Sequence, residues 1–363
     1  MAGGFSKWGH DLYTGEKSYN IVGRRKAFYA VAIIGIVLSF AILGIQKLNF
    51  GIEFRGGSQF TISNTTNKDQ QAAVEAVTKV KSDEVVRVSN VGQNAIRVQT
   101  SQLTEEQVQQ VRTELATAYN VDDADIASSF VGPSWGKDVS KKALIGLGVF
   151  LALIMLVMSV YFRAWRMAAA AIIALFHDLI ITVGIYALIG WEVTPATVIG
   201  LLTILGYSIY DTVVVFDKVR ENTAEITEQH LFTYEERANL AVNQTLVRSI
   251  NTSVVALLPV GAILFIGAFL LGAGTLRDIS LSLFVGMAVG AYSSIFLATP
   301  LEVSLRLREP KIAQHTNEVL SARSEQGSVA VAGVASSPVR VASGQLKPGQ
   351  HLGNRTQPKR KRK

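Results

Sequence analysis

Residues 195–216 read PATVIGLLTILGYSIYDTVVVF, twenty-two residues with one charge among them, Asp211. As a helix this stretch is about 33 Å long, enough to cross a hydrocarbon core of about 30 Å. Five more apolar runs accompany it, near residues 28–48, 143–162, 167–189, 250–271 and 279–305. The whole chain has 363 residues, 49% of them hydrophobic and only 17% charged, with a mean hydropathy of +0.29. That balance excludes an ordinary soluble enzyme and predicts a six-span α-helical membrane protein. The first run is too long for the apolar core of a cleaved signal peptide and no small-x-small site follows it, so it reads as a retained anchor. Cysteine is absent, which excludes a disulfide framework and a thiolate metal site. No cofactor is expected.

Lys and Arg in short connections mark the cytoplasmic side of a span. Arg24, Arg25 and Lys26 precede the first run, and Arg163 and Arg166 separate the second from the third. Lys218, Arg220 and Arg237 separate the fourth from the fifth, and Arg306, Arg308 and Lys311 follow the sixth. With six spans all four groups fall on one side. Both termini are therefore expected in the cytoplasm, with residues 1–26 a cytoplasmic segment, 27–48 the first span and 140–308 the other five.

Between spans 1 and 2 lies one long extracytoplasmic connection, 49–139, with soluble patterning. Gln59-Phe60-Thr61-Ile62 alternates as a strand does, and 68–80 places Val74, Val77 and Val80 on one helical face. Strands at 84–89 and 95–100 flank the turn-rich 90–94. A second helix opens on the capping-box pair Thr104 and Gln107 and buries Val108, Val111 and Leu115, and a last strand covers 125–131. The order βαββαβ predicts a ferredoxin-like domain. It carries eight bases against twelve acids and no cluster of catalytic residue types, so its expected role is mechanical.

Ionisable groups inside spans are costly and mark functional sites by default. His177 and Asp178 fall mid-span 3, Asp211 in the cytoplasmic half of span 4, and Arg248 at the cytoplasmic start of span 5, with Asn251 and Thr252 one turn on. Their depths allow an Asp211–Arg248 ion pair, with Tyr210, Asn251 and Thr252 as supporting polar groups. The same residues also read as interhelical polar glue, His177 as a packing residue, and Arg248 as a positive-inside anchor. Gly184, Gly200, Gly206, Gly286 and Gly290 are expected to permit close helix packing.

Gly51-Ile52-Glu53-Phe54-Arg55-Gly56-Gly57-Ser58, which follows span 1, resembles the motif found there in the SecD/SecF family of protein-export membrane proteins, with Glu53 where the family usually has Asp. Phe176-His177-Asp178 resembles a signature of the family's SecF members. Gly206-Tyr207-Ser208-Ile209-Tyr210-Asp211-Thr212, continuing to Asn222, and Asn243-Gln244-Thr245-Leu246-Val247-Arg248-Ser249-Ile250-Asn251-Thr252-Ser253 are similar to its most specific stretches. Order, spacing and topology agree over residues 22–308. Tyr210 stands where the family commonly has Asn, which removes a side-chain amide beside the aspartate.

The resemblance implies half of an RND-type bundle. Its pseudo-symmetric partner would be SecD, and the unit would act after SecYEG and the SecA ATPase, with YajC and YidC as further associates, on translocating precursor proteins. It implies a non-enzymatic subunit of the bacterial inner membrane that uses the proton-motive force, with Asp211 and Arg248 in proton conduction; Asp178 and His177 stand as further relay candidates on their place inside span 3 alone. Two other classes compete: an RND-type small-molecule exporter, against which the small size of the insert argues, and a passive scaffold, against which the intramembrane charges argue.

The net charge of +7 is concentrated at the C-terminus, where residues 311–363 hold ten Lys/Arg against two acids. The body is thus close to neutral, and a nucleic-acid partner is not expected. Residues 309–363 are polar and small-residue-rich, which predicts a disordered tail whose basic end touches anionic lipid or nothing. The loop 223–241 is expected as an interfacial helix.

Overall fold

The computed structural model describes residues 3–91, 94–162, 164–270 and 274–331. Arg163, part of the turn 90–94, residues 271–273 of the loop after span 5 and the tail from 332 onward lie outside the described residues. In chain order the elements are α1 (Gly3–Thr14), α2 (Arg25–Gln46), β1 (Asn49–Phe50), α3 (Ile52–Arg55), β2 (Gly57–Ile62), α4 (Gln70–Val80), β3 (Arg87–Val91), β4 (Ala95–Thr100), α5 (Glu105–Tyr119), β5 (Ile126–Val131) and α6 (Pro133–Phe162). There follow α7 (Trp165–Ile189), β6 (Glu192–Val193), α8 (Pro195–Asn222), α9 (Tyr234–Ala262), α10 (Gly274–Ser293), α11 (Thr299–Arg306) and α12 (Pro310–Val331). Ile263–Leu270 and Ser294–Ala298 wind as π-helix, the second joining α10 to α11.

Among the described residues six helices are long and apolar enough to cross a membrane: Arg25–Gln46, Trp135–Phe162, Trp165–Ile189, Pro195–Glu228, Tyr234–Gly267 and Leu276–Arg306. Each contains or closely overlaps one of the runs read from sequence. α8 packs along α10 and α9, and α2 along α7. The α8–α10 approach depends on small residues. A Cβ on Gly286 would lie 2.3 Å from the Ile204 side chain, and one on Gly290 3.1 Å from that of Ser208. A Cβ on Gly206 would meet nothing within 4 Å among the described residues, so its expected packing role does not hold.

The connection between the first two spans folds into an α/β head. Its sheet has the order β3-β4-β2-β5, every pair antiparallel, which is the ferredoxin-like topology. Phe60, Ile62, Val98, Val77, Val111 and Leu115 form its core beneath α4 and α5. The capping box at Thr104 and Gln107 forms both its hydrogen bonds. The second strand begins at Arg87 rather than at residue 84, because the Glu84 carboxylate turns aside to accept from the Ser101 hydroxyl (2.6 Å) and to pair with Lys81 (2.7 Å).

Further features depart from the sequence reading. β1 and β6 form a parallel two-residue ladder, Asn49 opposite Glu192 and Phe50 opposite Val193, tying the segment after α2 to the α7–α8 connection. Residues 310–331 form helix α12, which corrects the disorder expected from 309 onward. A low apolar content hid Ile312 and Val319, both buried, with buried His315 on the same helical face and Arg323 paired to Glu236 at 2.7 Å. The interfacial helix expected at 223–241 is replaced by a short 3-10 turn at Ile226–Glu228 and the capped start of α9, where Tyr234, Ala238 and Ala241 enter the bundle core. The N-terminal segment is also helical, as α1, with Leu12 fully buried. Asn243 accepts from the Tyr19 backbone (2.7 Å), and Asn239 from those of Ile21 and Val22 (3.0 and 3.1 Å).

Candidate functional site

The apolar stripe of α9 sets which of its polar residues can reach the bundle interior. Ala238, Ala241, Val242, Thr245, Leu246, Ser249 and Ser253 are buried, spaced at the three- and four-residue steps that keep one face turned inward. Ser249 therefore points inward, and its hydroxyl donates to Asp211 Oδ1 at 2.8 Å. From the other side Ser294 donates to Asp211 Oδ2 at 2.5 Å. Asp211 is only 4% exposed. Among the described residues no Lys or Arg lies within ion-pair distance of it.

The expected Asp211–Arg248 pair is thus not formed. Arg248 is one residue, or about 100° of helix rotation, away from Ser249, and it is exposed. Asn251 is exposed as well, and the Thr252 hydroxyl bonds back to the carbonyls of Arg248 and Ser249, both at 3.0 Å. Tyr210 is 52% exposed and does not reach the carboxylate. Matching depth was legible in the sequence, but the rotational phase of α9 was not used, although the same apolar spacing that defines the stripe would have selected Ser249.

Asp178 and His177 are buried together on α7, with His177 Nδ1 3.1 Å from Asp178 Oδ1. Ser208 donates to Asp178 Oδ2 at 2.6 Å. Ser208 and Asp211 are three residues apart on α8 and share a face, so one turn of helix links the two carboxylate sites. Ser208, Ser249 and Ser294 are the partners the sequence reading missed; a serine in an apolar span carries no charge to draw attention. His177 and Asp178 have no third metal-ligating neighbour among the described residues. The arrangement suits a group that takes up and releases a proton: a carboxylate held by hydroxyls, which can donate to its charged form and turn round to accept from its neutral form.

A second set of acids lies where the head meets the bundle. Glu192 on β6 accepts from Arg97 Nη1 (3.0 Å) and Gln99 Nε2 (2.5 Å), both on head strand β4. Among the described residues Glu53 Oε2 is buried without a hydrogen-bond partner. A Cβ on Gly51 would lie 2.4 Å from that oxygen and 2.9 Å from Glu192 Oε1, so the two carboxyls converge over the glycine. Burial pushes the Glu53 carboxyl above the ordinary carboxylate range, and the Glu192 charge adds to the shift. An acid whose value is raised on folding favours the folded state below its unfolded value, and that contribution is lost as pH rises through the folded value. Glu53→Gln is accordingly expected to raise the Tm at pH 8 and to lose that advantage towards pH 4, as measured by thermal unfolding of the full chain at both values.

Comparison with known proteins agrees with this architecture. The family described as "Protein export membrane protein SecD/SecF, C-terminal" matches residues 110–308, and "SecD/SecF GG Motif" matches 41–63. The chain is 48% identical over 321 residues to "Protein translocase subunit SecF" of Streptomyces coelicolor, covering 87% of this chain and 84% of that protein. It is 42% identical over 334 residues to the subunit of that name in Mycobacterium tuberculosis, covering 88% and 75%. The crystal structure of SecDF, a translocon-associated membrane protein from Thermus thermophilus, superposes with a TM-score of 0.69 at 31% identity, over 80% of this chain and 39% of that one. With its six spans and inserted head, the chain is a multi-pass membrane protein that belongs to the SecD/SecF family of protein-export membrane proteins.

Proposed function

We propose that this chain is the SecF-type subunit of a SecDF complex in the bacterial cytoplasmic membrane, assisting Sec-dependent translocation of precursor proteins with energy from the proton-motive force. It does so as an accessory to SecYEG and SecA rather than as an enzyme. The head faces outward and both termini lie in the cytoplasm, as the Lys and Arg of the short connections favour. The observation that carries the reading is Asp211: a buried carboxylate inside an apolar bundle, held by two serine hydroxyls on two other helices. Arg248 and Asn251, exposed on one side of α9 at bundle depth, favour a partner on that face, since lipid is a poor neighbour for either.

Protonation of Asp211 turns an acceptor into a donor. At least one of Ser249 and Ser294 must then reverse its hydroxyl, and the links from α8 to α9 and to the α10 end weaken. Thr194 caps the start of α8 two residues after Glu192 of the head contact, so a shift of α8 is felt at the head. Each charge crossing the membrane makes about 2.3 kcal/mol available per 100 mV. The test is pulse-chase export of a secreted precursor in cells depleted of their own SecF-type subunit and supplied with this chain. Faster export that co-purifies with a SecD-type partner and collapses when the proton-motive force is dissipated is expected. Drug-efflux rescue with no export effect would assign the chain to the exporter class instead.

A further inference from the structure

Glu302 on α11 has no exposed surface at all. Its Oε1 accepts from the Tyr234 hydroxyl of α9 at 2.7 Å and lies 3.5 Å from Arg306 Nε. Among the described residues its Oε2 is buried without a hydrogen-bond partner, and so is the hydroxyl oxygen of Thr299, one helical turn earlier. A carboxylate with one orphaned oxygen is a costly choice for packing alone, because glutamine would satisfy Tyr234 without the charge. Behind Arg306, Glu309 accepts from Arg306 and from Arg166 of α7 at 2.8 and 2.6 Å. These three side chains are partly exposed, so they stand between the buried Glu302 carboxyl and solvent on the side of the termini.

It is also linked to Asp211 through Ser294, which stands on the same continuous helix as Glu302. Ser294, which donates to Asp211, begins the π-helical segment Ser294–Ala298, and α11 follows directly and carries Glu302. Short π segments frequently mark functional sites. Restoring a standard turn there would rotate everything after it, Glu302 included, relative to Asp211. In this structure apolar Val215, Phe216, Val219 and Ala298, all fully buried, fill the bundle core on the same side. Ala298 lies between Ser294 and Glu302 along this helix, and Val215, Phe216 and Val219 follow Asp211 along α8, so apolar side chains stand between the levels of the two acids.

We propose that Glu302 is the exit acid of the proton pathway: when the apolar layer parts, the proton leaving Asp211 is taken by the Glu302 carboxylate, which releases it to water beside Arg306 and Glu309. This rests on the proton-coupled reading of Asp211, and the experiment separates the two. The full chain, reconstituted with its SecD-type partner in vesicles, is assayed for proton flux under an imposed pH gradient as the parent and as Glu302→Gln, Glu302→Asp and Asp211→Asn. Glu302→Gln keeps an acceptor for Tyr234 and is expected to cut flux about tenfold or more, while Glu302→Asp, which retains an acid, recovers much of it. Equal loss in both Glu302 variants would show a packing role and overturn the proposal. So would parental flux in Glu302→Gln with Asp211→Asn inactive. Undiminished flux in Asp211→Asn would instead overturn the proton-coupled reading itself.

Discussion

Asp211→Asn is expected to leave the chain folded and, with Asp211 in its proposed proton-coupled role, to remove the effect of the proton-motive force on export. The amide is nearly isosteric with the carboxyl, and both groups it meets, Ser249 and Ser294, are hydroxyls. A hydroxyl facing the new NH2 accepts instead of donating, so the hydrogen bonds survive with altered polarity and stability stays within about 1 kcal/mol. What disappears is the ability to bind and release a proton at that depth. Proton-driven export stimulation should fall about tenfold or more, since the amide cannot change charge. Pulse-chase export together with thermal unfolding checks both halves. Export at the parental rate by a variant of unchanged Tm would show that Asp211 serves only to hold three helices together.

Gly57→Ala is expected to have the largest effect on folding. Gly56 and Gly57 take φ of 77° and 141°, a region that L-residues rarely occupy. The second of them also brings the backbone against a neighbour: a Cβ at Gly57 would lie 2.3 Å from the Thr100 carbonyl oxygen, in the pair where β2 meets β4. Backbone strain and overpacking each contribute, for a loss of about 2–4 kcal/mol in the head. Limited proteolysis should cut the variant's head at protease levels the parent resists. Gly146→Ala is the control, since a Cβ there meets nothing within 4 Å. The double glycine of the motif after the first span is thus a sharp corner that lets β2 leave α3 and enter the sheet at once.

The spans were legible because twenty apolar residues have few other fates, and the head because alternation, a capping box and short turns agree on one topology. Helix rotation decided the rest. Arg248 matched Asp211 in depth and failed in phase, whereas Ser249 satisfied both and was overlooked because serine is unremarkable in a span. α12 was missed for a related reason: composition averaged over residues 309–363 concealed two well-spaced apolar residues and a cation opposite Glu236. The β1–β6 ladder left almost no signal, since two residues are too few for periodicity to show and parallel pairing joins segments more than 140 residues apart.

That ladder has a kinematic consequence. Only Gly190 and Trp191 separate the end of α7 from β6, and only Thr194 separates β6 from α8, while both flanks are fastened: Trp191 to the Tyr186 carbonyl at 3.0 Å and Thr194 to Thr197 through a capping box. A connection this short has no slack. A head that stays hydrogen-bonded to β6 cannot rise by even one residue's length without drawing the first turn of α8 with it, so the joint acts as a stiff linkage rather than a cord. Any axial travel of α8 at that joint also has to carry Ile204 past Gly286 of α10, where a Cβ would lie 2.3 Å from the Ile204 side chain.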